Sequence, residues 1–238
     1  MGTSRLEAFS DGVLAVVITL LVLDLHVDRE AADSLSRQLA HEWPSFLGYA
    51  VSFFVVGIIW VNHHALLAFT QKVDRGLLFY NLLLLSWATT IPFTTATLAS
   101  FMRDGGQDAR LAVMLYGASS EGMALSFTLM LRHILGHHLS VKDVSPSERR
   151  RWVIRFGLGG VLYPVATVVG LFSIPAMLGC YALISGFYML EQTPALGSDR
   201  RLSRVANSAT SLARRDGDDT GAAGRARSGA QGSSTQNP

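Results

Sequence analysis

The sequence predicts an all-α protein, a six-transmembrane-helix bundle followed by a disordered C-terminal tail, and three observations carry that reading. Hydrophobic residues make up 49% of the 238 positions and charged residues only 16%, with the charges gathered in clusters rather than spread as on a soluble surface. Two runs, Pro44 to Val61 and Gly76 to Met102, hold no charged residue, and each is close to the roughly 20 apolar residues that cross hydrocarbon. A third run, from Phe156 to Leu190, extends for 35 residues without a charge. As one helix it would be about 52 Å long, well past a hydrocarbon core of about 30 Å, so it has to turn back on itself.

In chain order, span 1 covers Leu6 to Val27. Its uncharged core between Asp11 and Asp24 is 12 residues, short for a helix facing lipid and suited to a central helix with wet ends. Arg5 precedes it and no A-x-A cleavage site follows, so the segment is expected to stay with the protein. Span 2 runs from Pro44 to Thr70, span 3 from Arg75 to Met102, and span 4 from Arg110 to Arg132 with Glu121 inside it. The long run splits near Ser173 and Pro175, because proline favours a helix start after a turn, and so supplies spans 5 and 6. The lone cysteine, Cys180, has no partner within the chain, so no disulfide framework exists.

An even number of spans puts both termini on one side, and basic residues mark the cytoplasmic side. Arg5, Lys72, Arg75, Arg132, Lys142, Arg149, Arg150, Arg151 and Arg155 fall there, against Arg29, Arg37, Arg103 and Arg110 opposite. The expectation is a multi-pass protein of the cell membrane with both termini cytoplasmic. Residues 1–192 form the membrane domain. Residues 193–238, rich in Gly, Ser, Ala, Asp and Arg, cannot bury enough apolar surface to fold and read as a disordered, basic, cytoplasmic tail. That tail either solubilises the chain or brings its arginines to anionic lipid headgroups.

The most informative segment is Arg5 to Leu25, in which Asp11 enters a spanning helix directly after Ser10. A carboxylate there needs partners or water. The predicted topology brings His63 and His64 of span 2 and Asn81 of span 3 to about the depth of Ser10 and Asp11. Polar groups from three spans then meet at one level, either as a hydrogen-bonded cluster fixing span 1 or as a proton-sensing or ion-entry site using His63 or His64. At 100° per residue, Val16, Thr19, Leu20 and Leu23 share one stripe of span 1, and Asp11 points about 130° away from it. By periodicity alone that stripe reads as core packing.

The pattern of Arg5, Phe9, Ser10 and Asp11 opening an apolar helix resembles the transmembrane protein 175 family of potassium channels. So do the segments WVNHHALL (Trp60 to Leu67), NLLLL (Asn81 to Leu85) and IPFTTATL (Ile91 to Leu98). The resemblance implies a channel without a re-entrant filter, whose first helices line the pore; a chain with one six-helix repeat is similar to the bacterial members, which assemble as homotetramers. Carried onto this sequence it implies a constriction at Val16, Leu20 and Leu23, with Val16 smaller than the isoleucine or leucine usual there, and a threonine ring at Thr19 associated with potassium preference. Arg5, Phe9, Ser10, Asp11, His63, His64 and Asn81 then form the structural polar network. The physics agrees, since apolar rings gate by dewetting and hydroxyl oxygens replace part of an ion's hydration shell.

Three features remain. Glu121, mid-span, reads either as a functional group or as a structural carboxyl beside Ser119, Ser120 and Gly122. His133, His137 and His138 have a spacing that binds zinc on a helix, but no carboxylate or cysteine joins them, so no metal site is expected. Neither H-E-x-x-H, G-x-S-x-G nor a phosphate-cradling glycine loop occurs, so no enzymatic chemistry, cofactor or nucleic-acid partner is expected. Two readings stand beside the channel: a proton-coupled secondary transporter with Asp11, His63 and Glu121 as its relay, and a membrane scaffold.

Overall fold

The computed structural model describes residues 2–27, 33–137, 139–140 and 145–190. The segment read as a tail, 193–238, lies outside the described residues, as do Asp28, Arg29, His138 and Lys142. Among the described residues there are eight α-helices, seven of which make six rods. The first is α1 (Thr3–Leu20), which tightens into a 3-10 turn at Leu21–Asp24. A short helix, α2 (Leu35–His41), follows, and then α3 (Trp43–Ala68), α4 (Arg75–Phe101) and α5 (Gly106–Gly136). The fifth rod is α6 (Pro146–Gly157) joined through Leu158 to α7 (Gly159–Gly170), and the sixth is α8 (Ile174–Leu190). No strand occurs among the described residues, apart from one isolated antiparallel bridge between Thr70 and Ser140.

Four of the rods, Thr3–Asp24, Trp43–Ala68, Arg75–Phe101 and Pro146–Gly170, are each long and apolar enough to cross a bilayer. The 31-residue α5 is long enough as well, but Asp108, Arg110, Glu121 and Arg132 dilute its hydropathy. The 17-residue α8 is apolar throughout, and at about 26 Å it nearly matches the hydrocarbon thickness.

The termini follow from local chemistry. The break in the long uncharged run falls at residues 171–173, with Pro175 in the first turn of α8, where its missing amide costs nothing. The fifth rod begins ten residues earlier than the charge pattern suggests. Ser145 caps α6 and Glu148 returns the bond to the Ser145 amide, a full capping box, so Arg149, Arg150, Arg151 and Arg155 sit on a helix and not in a loop. Asp74 caps α4 by accepting from the Leu77 amide at 2.7 Å. His133 of α5 also donates to Asp74, at 2.8 Å. Burial pushes the Asp74 carboxyl up, but the Leu77 amide and the His133 ring outweigh that and hold it below the ordinary carboxylate range. The imidazole reaches Asp74 only because residue 76 is glycine: a Cβ there would sit 2.6 Å from the His133 ring.

At the centre, α4 packs against α1, α3 and α5, and α5 packs in turn against α6 and α7. Small residues let the helices close up. A Cβ on Gly122 of α5 would run into the Trp87 ring of α4, and one on Gly117 into Thr167 of α7. Buried hydroxyls stitch the middle of the bundle, with Ser52 bonded to Thr95 at 2.8 Å and to Tyr116 at 3.0 Å, and Thr90 donating to Ser119 at 2.8 Å. Among the described residues, the helix α1 stands at the edge of this arrangement, packed chiefly against α3 and α4.

Candidate functional site

Because α1 touches neighbours along one side, its sequence resolves into three faces. Leu6, Ser10, Leu14, Val17 and Leu21, spaced four, four, three and four apart, form the buried side. The opposite side is bare: Val16 is 56% exposed, Leu20 43% and Leu23 72%. Thr19 is exposed among them, and its hydroxyl donates back to the Val16 carbonyl at 2.8 Å. Phe9 lies on the same side and, with Ala8, Gly12, Val13, Val16, Val17, Leu20 and Thr89 of α4, lines an open groove. Leu23 belongs to the 3-10 turn rather than to the α-helix, so its direction departs from 100° spacing, yet it stays on the uncovered side.

The buried side is fixed by a relay of hydrogen bonds. His63 of α3, Asn81 of α4 and Ser10 of α1 are all fully buried. The His63 Nε2–H donates to Asn81 Oδ1 at 2.7 Å, the Asn81 amide donates to Ser10 Oγ at 3.0 Å, and Ser10 donates to the Leu6 carbonyl at 2.9 Å. Each group donates onward once, so three helices are joined by one chain of bonds. The second ring nitrogen of His63, Nδ1, is buried with no hydrogen-bond partner among the described residues.

Asp11 and His64 do not enter this relay. Consecutive residues on a helix point 100° apart, so when Ser10 faces Asn81 its neighbour faces elsewhere. The third face of α1 carries Glu7 and Asp11 towards α3, where Trp60 Nε1 donates to Asp11 Oδ1 at 2.9 Å and His64 Nδ1 lies 2.9 Å from Glu7 Oε1. Glu7 and Trp60 were not singled out from the sequence. The signal was present as two i, i+4 pairs, Glu7 with Asp11 and Trp60 with His64, each marking one helix face. Arg5 is exposed and has no side-chain partner among the described residues.

Elsewhere, Glu121 is partly buried on α5 beside Gly160 of α7, and its Oε2 has no hydrogen-bond partner among the described residues. The histidines read as a possible zinc pair are otherwise engaged: His133 Nε2 is committed to Asp74, and His137 Nδ1 to the His133 carbonyl of its own helix.

Four helical rods long and apolar enough to cross a bilayer, a polar relay sealed between three helices and a first helix left bare on one side define a multi-span α-helical membrane protein. The family model described as endosomal/lysosomal potassium channel TMEM175 matches residues 5–92. A potassium channel of Streptomyces collinus is 37% identical over 195 residues, 81% of this chain and 94% of its own length. A potassium channel of Chamaesiphon minutus is 33% identical over 198 residues, 79% of this chain and 94% of its own. The crystal structure of a lysosomal potassium-selective channel TMEM175 homologue from Chamaesiphon minutus superposes with a TM-score of 0.70, covering 79% of this chain and 97% of that one at 30% identity. The chain belongs to the TMEM175 family of ion channels, and it is not an enzyme.

Proposed function

We propose that this protein is a potassium-permeable channel in which four copies meet around α1, each turning Val16, Thr19, Leu20 and Leu23 to a common axis. The observation that carries the reading is the bare apolar stripe of α1 in a chain whose relatives are potassium channels. A face that exposes Leu23 at 72% beside a side as tightly packed as Ser10 and Leu14 is one the subunit leaves for something else. At the axis of a tetramer, Val16, Leu20 and Leu23 become three apolar rings that close by dewetting. Thr19 suits a cation, because its proton is spent on the Val16 carbonyl and its oxygen lone pairs remain to face the ion. In this reading residues 1–192 are the channel domain, the segment 193–238 is a disordered basic tail, and the positive-charge asymmetry puts both termini in the cytoplasm of a cell-membrane protein. Ser10, Asp11, His63, His64 and Asn81 support the pore helix without touching the ion.

The proton-coupled relay gains nothing from this geometry, since His63 is bonded to Asn81 and Asp11 to Trp60. The deciding experiment places cysteine at Leu20 in a Cys180→Ser background and oxidises the protein in membranes, alongside potassium flux from liposomes. Disulfide-linked dimers at Leu20 and a flux through the wild type are expected. Flux without crosslinking would overturn the axial α1, and no flux would overturn the channel.

A further inference from the structure

On the third face of α1, two carboxylates and one imidazole from two helices converge. One ligand atom each from Glu7, Asp11 and His64 lies within 4.8 Å of the others. We propose that they bind a divalent transition-metal ion of the zinc class, with the carboxylates of Glu7 and Asp11 and Nδ1 of His64 as protein ligands and water completing the shell.

The chemistry of the donors points to that class. One imidazole nitrogen and two carboxylate oxygens suit zinc, cobalt or manganese, whereas calcium takes six to eight oxygens and potassium has no use for the imidazole. Bonds of about 2.0 to 2.2 Å put ligand atoms roughly 3.3 to 3.5 Å apart around a tetrahedral ion. The Glu7 to His64 separation of 2.9 Å and the outer limit of 4.8 Å bracket that edge. Glu7 and Asp11 are also one turn apart on one helix, a pairing of like charges that opposes folding unless something offsets it. A doubly charged ion offsets both. Trp60 supplies the outer support expected around such a site: its indole N–H holds Asp11 Oδ1 and fixes the rotation of that carboxylate. The ring of Trp60 in turn packs 6.3 Å from that of His64.

The ion would bridge α1 to α3, on a flank turned well away from Val16, Leu20 and Leu23. It would therefore brace the helix rather than obstruct the axis. The inference goes beyond the channel reading and stands whether or not that reading holds.

The test uses tag-free full-length protein in detergent, stripped with chelator and titrated with cobalt(II), whose visible absorption reports coordination by protein. The wild type should bind one cobalt per chain, lose the absorption on adding zinc and keep it on adding magnesium or calcium. Glu7→Gln and His64→Ala should each weaken binding by at least about tenfold, the scale on which even outer-shell losses are felt. His41→Ala, which alters an exposed imidazole on α2, should bind as the wild type does. Glu7→Gln keeps the shape of the side chain, so the comparison survives if His64→Ala does not fold. Absence of cobalt absorption in the wild type, or equal affinity in Glu7→Gln and wild type, would overturn the proposal and leave Glu7 and His64 as an ion pair only.

Discussion

Replacing Asn81 by alanine removes the middle of the relay that joins three helices, and the structure sets the size of the loss. Asn81 is fully buried and makes two bonds of consequence, accepting from His63 at 2.7 Å and donating to Ser10 at 3.0 Å. After substitution Ser10 still donates to the Leu6 carbonyl, so it loses little. His63 loses its only hydrogen bond among the described residues, because Nδ1 already has none, and a fully buried imidazole is left unsatisfied at both nitrogens. An orphaned buried donor costs about 1 to 3 kcal/mol, and the truncated side chain adds a small cavity, so a total of about 2 to 4 kcal/mol is expected. Ser10→Ala is the comparison, since it leaves the bond between His63 and Asn81 intact and orphans only one Asn81 N–H, so it should cost about 1 to 2 kcal/mol, less than Asn81→Ala. Thermal unfolding in detergent, followed by tryptophan fluorescence, ranks the two. If Asn81→Ala unfolds no earlier than Ser10→Ala, the relay does not hold α1 and the reasoning fails.

Three further predictions follow from other parts of the bundle. Replacing Leu20 or Leu23 by serine wets an apolar ring and should raise potassium flux severalfold in liposomes, while Val17→Thr, on the buried side of the same helix, should not; equal effects would dissociate the stripe from conduction. Gly122→Ala drives a methyl group into the Trp87 ring and should destabilise the fold by about 1 to 3 kcal/mol, measurable as a lower unfolding temperature, whereas Gly12→Ala, where a Cβ meets nothing within 4 Å, should be tolerated. Asp74 is held below its ordinary range, so the stability it contributes is present above the ordinary carboxylate pKa of about 4 and is lost as pH falls through its lower folded value. Unfolding temperatures of wild type and Asp74→Asn should accordingly differ at neutral pH and converge on acidification, and a gap that persists at the lowest pH would refute the assignment.

Much of the architecture was legible because the bilayer imposes it. The uncharged runs located α3 and α4, and the length of the third run, set against the hydrocarbon thickness, required the break at residues 171–173. Two features were hidden for one reason, in that charge and depth carry no direction. Arg149 to Arg155 lie ahead of the uncharged run, but Ser145 and Glu148 bracket Pro146 with a capping box that starts a helix ahead of them. Ser10 and Asp11 enter the membrane at one depth, yet their 100° separation sends one to Asn81 and the other to Trp60. The 3-10 tightening at Leu21–Asp24 had no signal in the periodicity, because the apolar pattern continues through it.

The relay grips α1 near its start and nowhere else, and beyond Leu21 the described rod is held by packing alone. That makes Ser10 a fulcrum and the rest of the rod a lever arm. Val16 sits about 9 Å along that arm and Leu23 about 20 Å. A rocking motion of about 5° would carry the first by about 0.8 Å and the second by about 1.7 Å. Leu23 would therefore swing twice as wide as Val16 for the same effort at the pivot.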